Sequence, residues 1–179
     1  MIKKKKKNQT ISTEISVAQK EIELRRLMRD MRPVLVAYSG GVDSSYLAFI
    51  ANLELGDDAQ IVMGVSASVS AFQKKEAAAA ACSGDFSYRE VETRELEDKS
   101  YSANPTNRCY FCKSELYDRL SSIAKQEHAR WVLDGTNADD LSDHRPGRVA
   151  AAERSVRSPL AELGFTKADI RERSKIHGL

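Results

Sequence analysis

An open α/β fold, a parallel sheet with helices on both faces, is what the sequence predicts, and three observations carry it. Short apolar, β-branched runs at Val34–Tyr38, residues 61–65 and Trp131–Leu133 read as strands buried on both sides. Segments with helical spacing separate them, so each strand is followed by a crossover and not by a hairpin turn. Two adjacent glycines, Gly40 and Gly41, stand where the first strand hands over to a helix, the place where such sheets offer free backbone amides to an anion.

Length and charge bound the rest. The chain has 179 residues, enough for one domain with a substantial core and little more. A disordered basic tail is expected over residues 1–9 and a single domain over residues 10–179. The formal net charge is +2, and because residues 3–7 are five lysines, the remainder carries −3. A basic surface for nucleic acid is therefore not expected on the body of the protein. No apolar stretch is long enough to span a bilayer and the N-terminus lacks a secretion signal, so a soluble, cytoplasmic protein with no membrane partner is expected. Three cysteines, Cys82, Cys109 and Cys112, suit metal or redox use in a reducing compartment better than a disulfide framework.

Taken in order, Ile11, Ile15, Ala18, Ile22, Leu27 and Met31 recur at helical spacing and predict an amphipathic first helix that Pro33 ends. After the first strand and the two glycines, Tyr46, Leu47, Ile50 and Leu53 predict a helix stopping near Gly56. Residues 71–81 read as a helix and residues 86–91 as an edge strand. A polar loop with Asn104 and Pro105 leads into a helix around residues 110–127, with Leu116, Leu120, Ile123 and Ala124 as its stripe. A Gly-, Asp- and Asn-rich loop follows the last strand and reaches Gly147, where a short helix is expected. Ser158-Pro159-Leu160 reads as a loop, and Thr166 as the N-cap of a final helix reaching Ile176.

The segment Ser39-Gly40-Gly41-Val42-Asp43-Ser44-Ser45 is the candidate for chemistry. Its glycines permit strained backbone that closes on a phosphate with no Cβ in the way, and Ser39, Ser44 and Ser45 add hydroxyls. Asp43 cannot favour a bare phosphate, so it either caps the helix or holds Mg²⁺ bridging phosphate oxygens. No Walker sequence occurs and the loop has no lysine, so charge on a phosphate must be met from elsewhere, with Lys113 and Lys167 as the candidates.

Cys109 and Cys112 lie at a loop-to-helix junction between Arg108 and Lys113, where the helix end and the two cations favour thiolates. The pair gives two soft ligands, while zinc takes four and an iron–sulfur cluster at least three. Burial of both thiols in the core is the competing reading, and Cys82, ending an alanine-rich helix, is expected to pack. Residues 134–140, Asp-Gly-Thr-Asn-Ala-Asp-Asp, follow the last strand and share the carboxyl edge of the sheet with the glycines. Gly135, Asn137 and Asp139 could complete a ligand and Mg²⁺ site, or the segment could be a turn satisfying its own backbone.

The S-G-G-x-D-S pattern resembles that of the N-type ATP pyrophosphatases. With the R-C-Y-x-C-K segment at 108–113, D-G-T-N-x-D-D at 134–140, Arg145-Pro146-Gly147 behind it, and R-S-P-L-A-E at 157–162 running to Thr166-Lys167, it resembles the LarE family of ATP-dependent sacrificial sulfur transferases over about residues 24–179. This resemblance implies a Rossmann-like, adenine nucleotide alpha hydrolase-like sheet. It also implies ATP and Mg²⁺ at Ser39 to Ser45, adenine on the backbone of Ser66, Ala67 and Ser68, and adenylation of a carboxylate of a pyridinium dicarboxylate mononucleotide with release of pyrophosphate before sulfur insertion. Cys109 and Cys112 match two of the three cysteines that hold a four-iron, four-sulfur cluster in some members. The family continues past this chain's last residue with a further cysteine and a small domain used in homo-oligomer assembly, so a truncated member is expected, keeping ATP binding and losing sulfur transfer.

Two rivals stay open at this point. A tRNA thiolase or an NAD or GMP synthetase-like pyrophosphatase would share the fold, and the lysine tail would serve as the RNA contact of the first. A non-catalytic nucleotide-binding remnant would bind ATP without turnover.

Overall fold

The computed structural model describes residues 15–97, 101, 107–142 and 146–179. The lysine tail, residues Asn104 to Thr106 and Arg145 lie outside them. Four parallel strands form one sheet: β1 (Val34–Tyr38), β2 (Ala59–Val65), β3 (Arg89–Glu92) and β4 (Trp131–Leu133), in the order β3-β2-β1-β4. Val36 aligns with Ile61 on one side and Leu133 on the other. The chain steps outward from β1 to β3 and then crosses back to lay β4 on the far side of β1. That reversal opens a crevice beyond the carboxyl ends of β1 and β4.

Helices accompany these strands among the described residues: α1 (Val17–Met31) before β1, α2 (Val42–Leu55), α3 (Ala71–Ser83) and α4 (Arg108–Gln126) between successive strands, and α5 (Pro146–Glu153), α6 (Pro159–Glu162) and α7 (Lys167–Ile176) after β4. All five residues of β1 are buried, and they divide by the period of two. Val34, Val36 and Tyr38 pack with Leu24 and Met28 of α1, Tyr46, Leu47 and Ile50 of α2, Ala77 and Ala81 of α3 and Ile170 of α7. Leu35 and Ala37 face the opposite way, onto Tyr117, Leu120 and Ala124 of α4 and Ala150 and Ala151 of α5. Each buried Leu or Ile side chain contributes about 1.5–3 kcal/mol through area removed from water. The expected sheet with helices on both faces is the one observed.

Four local expectations are corrected. The buried stripe of α1 is Glu21, Leu24, Met28 and Met31, while Ile15 and Ile22 are exposed. The helix is turned because Glu21 accepts hydrogen bonds from Tyr46 of α2 and Arg173 of α7. β3 begins at Arg89 and not at Phe86, whose ring is buried against Tyr38 in an edge-on contact. Pro159 and Leu160, read as loop, belong to the single turn α6, with Pro159 in its first position, where a missing N–H costs nothing. Cys82 is exposed, because the face of α3 that packs is that of Ala77 and Ala81, and the next residue points about 100° away. Among the described residues no helix is long and apolar enough to cross a membrane.

Candidate functional site

A cleft of about 500 Å³ opens at the reversal point of the sheet. Its floor is the turn from β1 to α2. Gly40 adopts φ of 78°, and a Cβ there would sit 2.7 Å from that of Ala77, so only glycine lets β1 enter this turn beside α3. Gly41 is the N-cap of α2 in extended conformation, and a Cβ there would meet only Ser39 Oγ at 3.5 Å. The freedom expected of both glycines is thus used by Gly40, while Gly41 leaves the cleft side of the helix end open. Ser44 Oγ donates to the Gly41 carbonyl at 3.0 Å and accepts from Ser39 N–H at 3.2 Å, which fixes the loop's shape. Ser45 is buried, and Val42 and Ser39 line the cleft.

The second wall is the loop after β4. Asp134 is buried and accepts from Tyr117 O–H at 2.7 Å, Ser158 O–H at 2.7 Å and Thr136 N–H at 3.1 Å, so three separate segments converge on one carboxylate. Burial and that carboxylate push the Tyr117 hydroxyl well above its ordinary value, and it stays a donor. Gly135 then passes so close to α2 that a Cβ would lie 2.8 Å from Ser44 N. Asn137, fully buried, donates from Nδ2 to Asp43 Oδ2 at 2.9 Å, and its Oδ1 accepts from Asp140 N–H at 3.1 Å. The loop therefore satisfies its own backbone, as the turn reading expected, and through Asn137 it also reaches the turn from β1 to α2.

Asp43 makes no capping bond to α2. Its Oδ1 is buried with no partner among the described residues. Burial, with the nearby Asp140 carboxylate adding to it, raises its pKa, against Asn137, Lys167 and Arg171, which favour the ionised form. A buried oxygen without a donor beside a second carboxylate is what a divalent cation would satisfy. Asp139 points elsewhere, accepting from Lys167 N–H at 2.8 Å, and Asp140 is the residue that lines the cleft.

Cations face these carboxylates. Lys167 opens α7, is held by the Thr166–Asp169 capping box, and pairs through Nζ with Asp140 Oδ1 at 3.2 Å. Lys113 also lines the cleft, 5.3 Å from the Tyr117 ring centre. Arg148 and Arg171, which the sequence pattern does not single out, complete that wall. The signal for Arg171 was its spacing of four from Lys167 on one helix face. Cys109 is exposed on the cleft wall beside Lys113 and Gly147, and Cys112 is half-buried, so burial of both thiols in the core is not observed. No group of three or more His, Cys, Asp or Glu able to hold a metal occurs among the described residues. Ser66 and Ala67 do not line this cleft but a second hollow of about 300 Å³ with Thr93 and Arg94, and Ser68 N–H donates to Ser66 Oγ at 3.1 Å.

A protein of Synechocystis sp. described as uncharacterized is 44% identical over 156 residues, covering 87% of this chain and 58% of that protein. The pyridinium-3,5-bisthiocarboxylic acid mononucleotide synthase of Lactiplantibacillus plantarum is 32% identical over 167 residues, covering 92% of this chain and 60% of that protein. Over these residues the chain is a homologue of that synthase, in line with the LarE-like motifs of its sequence. It spans about three fifths of the length of the curated relatives it matches. No protein-family model matches it. Among solved structures, the NH3-dependent NAD synthetase of Campylobacter jejuni superposes with a TM-score of 0.70 at 14% identity, over 90% of this chain and 73% of that one. The U34-tRNA thiolase of Methanococcus maripaludis, solved with its 4Fe-4S cluster, superposes at 0.61 and 16% identity, over 89% and 63%. At such identities these likenesses speak to fold alone, and that fold is the Rossmann-like parallel sheet the chain shares with the NAD synthetase.

Proposed function

We propose that this chain binds ATP with Mg²⁺ in the cleft and transfers its adenylyl group to a carboxylate, the activating half of a sulfur transfer like that named for its Lactiplantibacillus homologue. The observation that carries the reading is Asp43 Oδ1, buried and without a partner among the described residues, just after a glycine turn that shares its cleft with cations of α4, α5 and α7. Asp43 and Asp140 are the residues that would hold Mg²⁺, and the ion would supply charge neutralisation on the phosphates.

The chain's own groups account for the rest. Amides of Gly41 to Asp43 and the positive end of α2 meet phosphate oxygens. Lys113 and Lys167 supply the charge that the loop lacks. A carboxylate oxygen attacks the α-phosphorus, the bond from that phosphorus to the bridging oxygen breaks, and pyrophosphate leaves with the electron pair. The mixed anhydride that results is open to a sulfur nucleophile, which expels AMP. The acceptor is a pyridinium dicarboxylate mononucleotide, Ser66, Ala67 and Ser68 take the adenine edge, and Cys109 and Cys112 are two ligands of an iron–sulfur cluster, each by resemblance to the family. The protein acts in the cytoplasm without a nucleic-acid partner, and homo-oligomer assembly is, by the same resemblance, a property of the full-length family.

Release of pyrophosphate and AMP-acceptor adduct from ATP, Mg²⁺ and the pyridinium mononucleotide, followed by phosphorus NMR, tests the reading. ATP that binds yet yields no pyrophosphate would leave a nucleotide-binding remnant instead. Iron and sulfide analysis of anaerobically purified protein, compared with Cys109→Ser and Cys112→Ser, tests the cluster: iron absent, or unchanged in both variants, removes it.

A further inference from the structure

Four cationic side chains line the cleft: Lys113, Arg148, Lys167 and Arg171. Three are engaged by the protein itself. Lys113 lies over the Tyr117 ring, the Arg148 guanidinium donates to the Leu141 carbonyl at 2.9 Å, and Lys167 Nζ is paired with Asp140. Arg171 has no hydrogen bond or ion pair among the described residues, although it sits within electrostatic reach of Asp43.

That isolation is not typical of the arginines around it. Arg173, two residues on, donates to Glu21 at 2.6 Å and ties α7 to α1. Arg154 grips Asp118 with both Nε and Nη2, at 2.8 and 3.0 Å. Arg171 does no such structural duty, yet it is placed one turn beyond Lys167 on the same helix face, over the same cleft. A guanidinium stays charged at any pH of interest and presents a planar fork matched to two phosphate oxygens.

We propose that Arg171 is a phosphate-binding residue of this cleft, holding the β- and γ-phosphates of ATP and then the departing pyrophosphate beside Lys167. The assignment rests on the reading of the cleft as an ATP site. When the bond at the α-phosphorus breaks, negative charge gathers on the oxygen that leaves with pyrophosphate, and a cation with no ion pair among the described residues can meet it without breaking one of them. Arg171 therefore matters for ligands that carry the terminal phosphates and not for AMP.

Isothermal calorimetry on the whole chain separates these cases, with Mg-ATP, Mg-pyrophosphate and AMP as probes for wild type, Arg171→Ala and Arg171→Lys. Arg171→Ala is expected to weaken Mg-ATP and Mg-pyrophosphate about tenfold or more, with AMP affinity unchanged and Arg171→Lys recovering part of the loss. Its melting temperature stays within about 2 °C of wild type, since no partner among the described residues is lost. Wild-type affinity for both phosphate ligands in Arg171→Ala, or an equal loss for AMP, overturns the assignment and leaves the ATP reading standing. Wild type that binds neither Mg-ATP nor Mg-pyrophosphate removes the ATP reading itself, and the role of Arg171 with it.

Discussion

Asn137 and Asp43 meet across the reversal point of the sheet, Nδ2 donating to Oδ2 at 2.9 Å. The bond joins the loop after β4 to the first turn of α2, and it leaves Asp43 with one oxygen satisfied and the other open. Asn137→Ala removes that donor and the acceptor for Asp140 N–H. A cost of about 2–3 kcal/mol follows from the stranded buried groups, seen as a melting temperature lower by about 5–10 °C. Mg-ATP affinity should fall about tenfold as Asp43 loses its orientation, a loss that calorimetry would read directly.

Asp43→Asn separates stability from ligand binding. The Asp43 carboxyl is held above its ordinary value by burial and by Asp140, so its ionised form opposes folding at pH above that raised value, and the penalty vanishes below the unfolded value. Asn keeps an acceptor for Asn137 and carries no charge. In metal-free buffer at pH 7 the variant should melt about 1–3 °C higher than wild type while losing magnesium-dependent ATP binding. A lower melting temperature would contradict the electrostatic account of this residue.

Three glycines of the cleft should respond differently to a side chain. Gly41→Val places its Cβ against nothing nearer than Ser39 Oγ at 3.5 Å, so the melting temperature should drop by no more than about 4 °C while ATP affinity is lost, because the branch covers the amides. Gly135→Ala puts a methyl 2.8 Å from Ser44 N, and Gly40→Ala meets Ala77 at a residue with positive φ. Both should lower stability, by about 1–3 kcal/mol each. Gly41→Val with intact nucleotide affinity would remove the phosphate-loop assignment.

Much of this was legible in the sequence, for reasons that differ by element. Strands β1, β2 and β4 are apolar enough that burial on both faces was their only fit, and the glycine pair located the turn. Thr166 is followed by Asp169 at capping-box spacing, so the start of α7 could be read to the residue. What could not be read is what arises between segments far apart in the chain. Asp139 and Asp140 are adjacent and chemically alike, and only the approach of α7, whose first N–H takes Asp139, decides that Asp140 faces the cleft. Arg171 is one of several charged residues on its helix, and its orientation depends on which face Ile170 and Ser174 bury.

Glu21 was invisible to periodicity for a related reason, since a carboxylate on the buried stripe of α1 makes sense only once its partners are known. Burial works to raise its pKa, but Arg173, His177, Arg25 and Tyr46 all donate to it and together hold it at about 2. Being depressed, it contributes stability that is fully present above the ordinary glutamate value and is lost as pH falls through its folded value. The window of loss runs from about 4.5 down to about 2. Glu21→Gln should cost about 3 kcal/mol at pH 7, leaving Arg173 and Arg25 with a neutral partner. Its urea midpoint should also fall less steeply than wild type's between those two pH values. Parallel curves for the two proteins in that window would mean that Glu21 is not the group whose protonation loosens α1 and α7 from α2.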